Sequence, residues 1–174
     1  MGVGQDRLLS SIPNVLDLTE VTMVPFDKQM PTVIRPSQIG TDTTYEPPLR
    51  IGFGINDETV DGANATMGRT ILVAGSKPNP THYHTANNVC WYILYGKIRA
   101  WFSRSDGSDR KEVILEGGDF VFIPAGAIHV ISNASETEEA SLIFCYIGVG
   151  NTDAAETTWI EKDSKVAKQV AGVA

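Results

Sequence analysis

His82, His84 and His129 are the only histidines among the 174 residues, and all three fall where one metal ion could collect them. The first two flank Tyr83 at the start of a strand-like run. Side chains alternate faces along a β-strand, so residues two apart point the same way. His82 and His84 can therefore chelate one ion from one strand, with Tyr83 turned away into packing. His129 closes the run Gly118-Asp119-Phe120-Val121-Phe122-Ile123-Pro124-Ala125-Gly126-Ala127-Ile128-His129 and can supply a third nitrogen from a neighbouring strand. A single histidine in a strand is more often a satisfied core or surface residue than a ligand. Here no histidine is left over, and the expectation is one bound divalent transition metal. Three neutral imidazoles suit Fe(II), Mn, Zn, Ni or Cu in varying degree, and affinity order alone does not choose among them.

No other catalytic pattern competes. The chain has no Gly-x-Ser-x-Gly elbow and no phosphate-binding Gly-rich loop, and no histidine is free for a Ser or Cys triad. Cys90 and Cys145 lie in apolar strand-like runs and are expected to be small buried thiols, since two cysteines make no disulfide framework.

The elements that must position the histidines are short strands. Residues 69–74, 89–95, 97–103, 111–115, 120–123, 129–132 and 141–147 are rich in β-branched or aromatic residues, and Gly, Pro, Asn and Asp clusters separate them. Spacing near ten residues with no helical period between predicts an all-β sandwich or small barrel. Six of the nine prolines fall before residue 49, at 13, 25, 31, 36, 47 and 48. Proline removes ladder donors and fixes φ, so residues 1–48 are expected to form an extended arm with short strands or one short helix. The barrel is assigned to 49–160. Residues 161–174 form a tail that could carry a short helix.

Length and charge narrow the partners. A chain of 174 residues is one domain's worth and can bury its own core. Its formal charge of −7 argues against nucleic acid and anionic membrane surfaces. No apolar run approaches the roughly 18 residues of a membrane span. The first residues lack the basic-then-apolar pattern of a secretory signal, so the cytoplasm is the expected compartment.

Two stretches, His82 to Gly96 and Gly118 to Asn133, resemble the signature motifs of the cupin superfamily. The second motif is met throughout: Gly118, five residues, Pro124-Ala125-Gly126, two residues, His129, three residues, Asn133. In the first, Gly75, His82, His84 and Gly96 fit with one extra residue between Gly75 and His82. The motif's glutamate is missing. Its slot falls on Val89, or on Asn88 with the shorter spacing; valine cannot ligate, and the asparagine carbonyl is a candidate weak ligand. The resemblance covers about residues 69–148 and implies a cupin-type double-stranded β-helix, a jelly-roll barrel, with an amino-terminal arm and a short tail. A homodimer is expected, and the arm is a natural cover for the edge strands such a barrel leaves.

With no carboxylate the site would keep the ion's full 2+ charge and up to three open positions on a six-coordinate ion. That ligand set is similar to three-His cupin dioxygenases. The resemblance therefore implies a mononuclear non-haem enzyme with a small enolisable, carbonyl-containing substrate, best read as an Fe(II) dioxygenase cleaving a C–C bond with O₂. The alternatives are a redox-neutral lyase, decarboxylase or isomerase using Mn or Zn as Lewis acid, and a non-enzymatic ligand-binding cupin. Counting faces from His84 and Val89 puts Val89, Trp91 and Ile93 toward the pocket and Cys90 and Tyr92 away from it. On the last strand, parity leaves open whether Phe144 and Tyr146 or Ile143, Cys145 and Ile147 face inward; the first pair are the pocket candidates. Arg69 is a candidate clamp for a substrate carboxylate, against its ordinary role as a solvated strand-end charge.

Overall fold

The computed structural model of the chain describes residues 30–161 and Ser164. The first part of the arm, and most of the tail expected to hold a helix, lie outside the described residues. Ten strands run in chain order: β1 (Arg50–Ile55), β2 (Ala65–Leu72), β3 (His82–His84), β4 (Val89–Tyr95), β5 (Lys97–Ser103), β6 (Lys111–Glu116), β7 (Phe120–Ile123), β8 (Ile128–Asn133), β9 (Ala140–Ile147) and β10 (Thr157–Trp159). They form two five-stranded antiparallel sheets, ordered β1-β2-β9-β4-β7 and β10-β3-β8-β5-β6. This is the all-β sandwich that the strand spacing predicted, in the jelly-roll form that the motif resemblance implied. We call the first the wall sheet and the second the histidine sheet.

The alternation along β4 shows why these residues make this sandwich. Val89, Trp91 and Ile93 are buried while Cys90, Tyr92 and Leu94 are partly or well exposed. Burying three large apolar side chains on one face contributes roughly 1.5–3 kcal/mol each. Strand β9 settles the open parity: Leu142, Phe144 and Tyr146 point into the core. Gly68 on β2 makes room for them, because a Cβ there would stand 2.7 Å from the Phe144 ring. Its neighbour Thr70 is 4% exposed and also faces in.

Arg69, between those two inward positions, therefore points out. It is exposed, its Nε donates to Ser141 Oγ (2.9 Å), and its Nη2 donates to the Tyr95 hydroxyl (2.7 Å). The carboxylate-clamp expectation is corrected: the two-residue period of β2 turns the guanidinium away from the interior. The cysteines are free thiols as expected, but half-buried rather than buried. Cys90 and Cys145 are cross-strand neighbours on the outward face.

The last part of the arm turns inward. The backbone amides of Asp42 and Ile51 bond each other's carbonyls (2.7 and 2.8 Å), closing a loop, and the Asp42 carboxylate accepts from the amides of Thr44 and Tyr45. Between these anchors Glu46 and Leu49 are buried. This part of the arm was expected to cover a sheet edge. It does so at one point, where Asp42 bridges the edge strand β1 at Ile51, and it also turns into the sandwich, where Glu46 lines the interior cavity.

Candidate metal centre

All three histidines stand on the histidine sheet. His82 and His84 sit at the two ends of β3, facing in from the same side of Tyr83, and His82 pairs directly across the ladder with His129 on β8. Gly126, at φ +81°, forms the turn before β8, and its amide bonds the His84 carbonyl at 2.7 Å. A left-handed φ suits glycine because it has no Cβ to clash. That bond ties the second ligand strand to the turn that delivers the third ligand.

Each imidazole is 1–3% exposed. One ring nitrogen from each lies within 4.8 Å of the others, which is the spacing a shared ion needs before it draws them together. Their Nδ1 atoms are engaged elsewhere. His82 Nδ1 faces the Pro80 carbonyl (2.8 Å), His129 Nδ1 faces the Ala127 carbonyl (3.0 Å), and His84 Nδ1 meets Thr157 Oγ1 (3.0 Å). A carbonyl can only accept, so the Nδ1–H donates in the first two and the Nε2 lone pair is left over. Such outer bonds fix tautomer and ring orientation in metal-binding histidines. Nε2 of His82 and of His84 are buried with no hydrogen-bond partner. An orphaned buried acceptor costs about 1–3 kcal/mol, and a cation removes that penalty. The residues fit a divalent transition metal.

Burial also holds the rings neutral. Desolvation pushes His82 down to about 4, and His84 and His129 fall further because the other rings' charges add to the burial. A neutral imidazole is the ligating form.

One functional group had not been singled out from the sequence. Glu46 is 8% exposed, with Oε1 3.5 Å from His82 Nε2 and Oε2 accepting from Asn79 Nδ2 at 2.6 Å. Burial drives its carboxyl up to about 7, against smaller lowering effects from the Asn79 amide and the Tyr146 phenol. With His82 pushed down and Glu46 pushed up, burial disfavours the charged form of each and works against an ion pair between them. The missing motif glutamate, beside an acidic residue set between Tyr45 and Pro47-Pro48, was the available signal.

Of the other expected site residues, Trp91, Phe144 and Tyr146 line the cavity beside His129, together with Thr70 and Leu142. The Trp91 ring lies 5.6 Å from that of His129, and the Tyr146 ring 4.7 Å from that of His84. Val89 and Ile93 share the interior face but lie in the packed core and do not line the cavity. Asn88 is a latch. Its Oδ1 accepts from the Ala125 amide (3.0 Å) and its carbonyl from the Ile147 amide (3.1 Å), so the weak-ligand expectation gives way to a structural role. Asn133 donates to three carbonyls, of Leu72, Val73 and Glu138.

A ten-stranded jelly roll with inward histidines on neighbouring strands defines a metal-site β-sandwich. Residues 68–146 match the family model described as "Cupin domain", which supports the cupin superfamily for this stretch. An Aquifex aeolicus protein, described only as uncharacterized, is 35% identical over 63 residues, 36% of this chain and 47% of that one. The match thus spans about half the length of that relative. Among solved structures, Lactobacillus farciminis oxalate decarboxylase in a formate complex superposes with TM-score 0.58 at 13% identity, over 71% of this chain and 34% of that one. An oxalate oxidase holding the substrate analogue glycolate gives 0.56 at 17%, over 70% and 59%. Drosophila melanogaster CENP-C bound to CAL1 gives 0.54 at 12%, over 66% and 84%. Likeness at these identities speaks to the fold. No helix among the described residues is long and apolar enough to cross a membrane.

Proposed function

We propose that this chain is a mononuclear, metal-dependent cupin enzyme acting on a small carbonyl-containing molecule, with Fe(II) dioxygenase cleavage of a C–C bond as the leading reading. The observation that carries the metal-enzyme reading is the pair of orphaned Nε2 atoms on His82 and His84, clustered with a ring nitrogen of His129, which itself lines the interior cavity. An ion bound by these rings would supply Lewis acidity and, if iron, a binding place for O₂. The chain's own residues do the rest. The carbonyls of Pro80 and Ala127 and the Thr157 hydroxyl hold the rings in their ligating orientation. Trp91 and Phe144 exclude water, and the Trp91 indole offers a flat face to a planar enolate.

A redox-neutral decarboxylase or lyase using Mn or Zn is the second reading, and the cavity volume favours it. The cavity is ≈ 20 Å³, room for about one water by the same measure. A compact acid fits that space with less rearrangement than a diketone accompanied by O₂. Small-acid chemistry is also what the oxalate decarboxylase and oxalate oxidase of this fold perform. A homodimer is part of the proposal, supported by the exposed Phe120 (81%) and Phe122 (60%) on β7 at the edge of the wall sheet.

The test is metal analysis followed by oxygen uptake. Protein stripped and reloaded anaerobically with Fe(II) or Mn(II) is offered O₂ with diketones, and separately oxalate-like acids. The dioxygenase consumes O₂ in step with substrate, whereas the lyase releases CO₂ without it. A ligand-binding cupin that catalyses nothing would turn over neither under any metal.

A further inference from the structure

We propose that Glu46 is the carboxylate of the metal centre, contributed by the arm in place of the glutamate that the strand motif lacks. The inference rests on the metal-binding reading above and adds a fourth protein ligand to it.

Geometry carries the argument. Two donor atoms each about 2.1 Å from one ion, at tetrahedral or octahedral angles, stand about 3.0–3.4 Å apart. Glu46 Oε1 is 3.5 Å from His82 Nε2, an atom with no hydrogen-bond partner. Those two atoms are already near ligand spacing. The carboxylate is also held rather than free to swing. Oε2 is fixed by Asn79 Nδ2 at 2.6 Å, and Asn79 is itself clamped, its Oδ1 accepting from the Ile131 amide (2.8 Å) and its own amide bonding the Ile131 carbonyl (3.1 Å). Ile131 lies on β8, two residues beyond the ligand His129. The strand that supplies the third imidazole therefore also fixes, through Asn79, where the carboxylate stands.

Neighbouring arm residues are built into the same site. Next to Glu46, the Tyr45 hydroxyl meets Thr157 Oγ1 at 2.7 Å, and that oxygen meets His84 Nδ1. Trp159, two residues on, packs against both His82 (4.9 Å) and Tyr45 (5.8 Å). The loop between Asp42 and Ile51 thus presents one residue to the ion and its neighbour to a ligand's support.

The chemical consequence is a change of charge. Three imidazoles and one carboxylate leave a divalent centre at +1 rather than +2, with up to two open positions on a six-coordinate ion instead of three. Two positions suit one chelating anion, or one monodentate substrate with a second small ligand.

The experiment uses the full chain, stripped of metal and titrated with Co(II), whose visible d–d bands report ligand type. Wild type should bind one equivalent. His84→Ala should lose stoichiometric binding. Glu46→Gln, which keeps size and can still accept from Asn79, should bind at least tenfold more weakly and with a shifted band. If Glu46→Gln binds within twofold of wild type, or binds more weakly with an unchanged band, Glu46 is not a ligand; a coincident loss in His84→Ala leaves the histidine site standing. If His84→Ala binds like wild type, the metal-site reading itself falls and this inference with it. Should Glu46→Gln not fold, a crystal structure of wild type loaded with Co(II) decides. An ion within about 2.3 Å of Oε1 supports the proposal, and a separation beyond 3 Å overturns it.

Discussion

The two sheets share one interior but divide its chemistry. The histidine sheet supplies the three clustered imidazoles found among the described residues: His82 and His84 from β3 and His129 from β8. The wall sheet supplies Trp91, Phe144 and Tyr146, the large rings that line the cavity beside His129. The polar sheet fixes atoms to within hydrogen-bond tolerance, because each ring is tied through Nδ1. The inward rings of the wall sheet are placed chiefly by packing, and packing tolerates change of identity better than change of volume. The two halves should therefore fail differently when mutated.

The sharpest break is on the histidine side. His84→Ala removes one of the three clustered imidazoles and should abolish stoichiometric metal by elemental analysis, while circular dichroism shows the sandwich intact. Metal content equal to wild type in that variant would sink the site.

On the wall side the expected loss is of stability and substrate handling rather than metal. Trp91 is 7% exposed and packs against Phe102 and His129. Truncating a buried aromatic to alanine costs about 3–5 kcal/mol. Trp91→Ala should lower the unfolding midpoint accordingly and weaken turnover, yet keep metal affinity within a few fold. Tyr92, next door on the outer face and 37% exposed, should cost about 1 kcal/mol as Ala and leave turnover unchanged. A variant keeping Trp91 as its only tryptophan should also show strong fluorescence quenching when Cu(II) is added. Absence of quenching would contradict the 5.6 Å approach to His129.

The same division explains what the sequence made legible. The histidine pairing follows from the two-residue period, which no tertiary context can alter while β3 stays extended. The β4 face assignments follow for the same reason. Strand β1 was missed because Gly52 and Gly54 strip its sequence of the usual β-former signal, and it forms through pairing with β2. Strand β10 is three residues long and exists by pairing with β3. Glu46 escaped because its place is set by a loop closure at Asp42 and Ile51 and by Asn79, thirty-three residues away in the chain. No local period encodes such a meeting. Parity turns Arg69 outward only once Gly68 belongs to β2, and a glycine carries no β-former signal of its own.

A smaller effect probes the support of the ligands rather than the ligands. Thr157→Val keeps the shape of the side chain but removes the hydroxyl between His84 Nδ1 and the Tyr45 phenol. Loss of an outer-shell partner of a metal histidine typically costs 10–100-fold in affinity. A drop in that range, with His84 still binding, separates orientation from ligation. Unchanged affinity would mean that β3 alone aims the ring.

The smallest effect belongs to Arg69, and it tests the face assignment of β2. The guanidinium bonds Ser141 and Tyr95 on the outer surface, and Tyr95 in turn donates to Glu139 at 2.6 Å. Exposed polar networks of this kind contribute about 0–1 kcal/mol. Arg69→Ala should therefore shift the unfolding midpoint slightly and leave KM for an acidic substrate unchanged. Thr70→Val, one residue on and facing the cavity, replaces a hydroxyl with a methyl inside a space of ≈ 20 Å³ and should alter KM while barely touching stability. A rise in KM on losing Arg69, with none on changing Thr70, would reverse the inner and outer faces of β2 and return the arginine to the pocket.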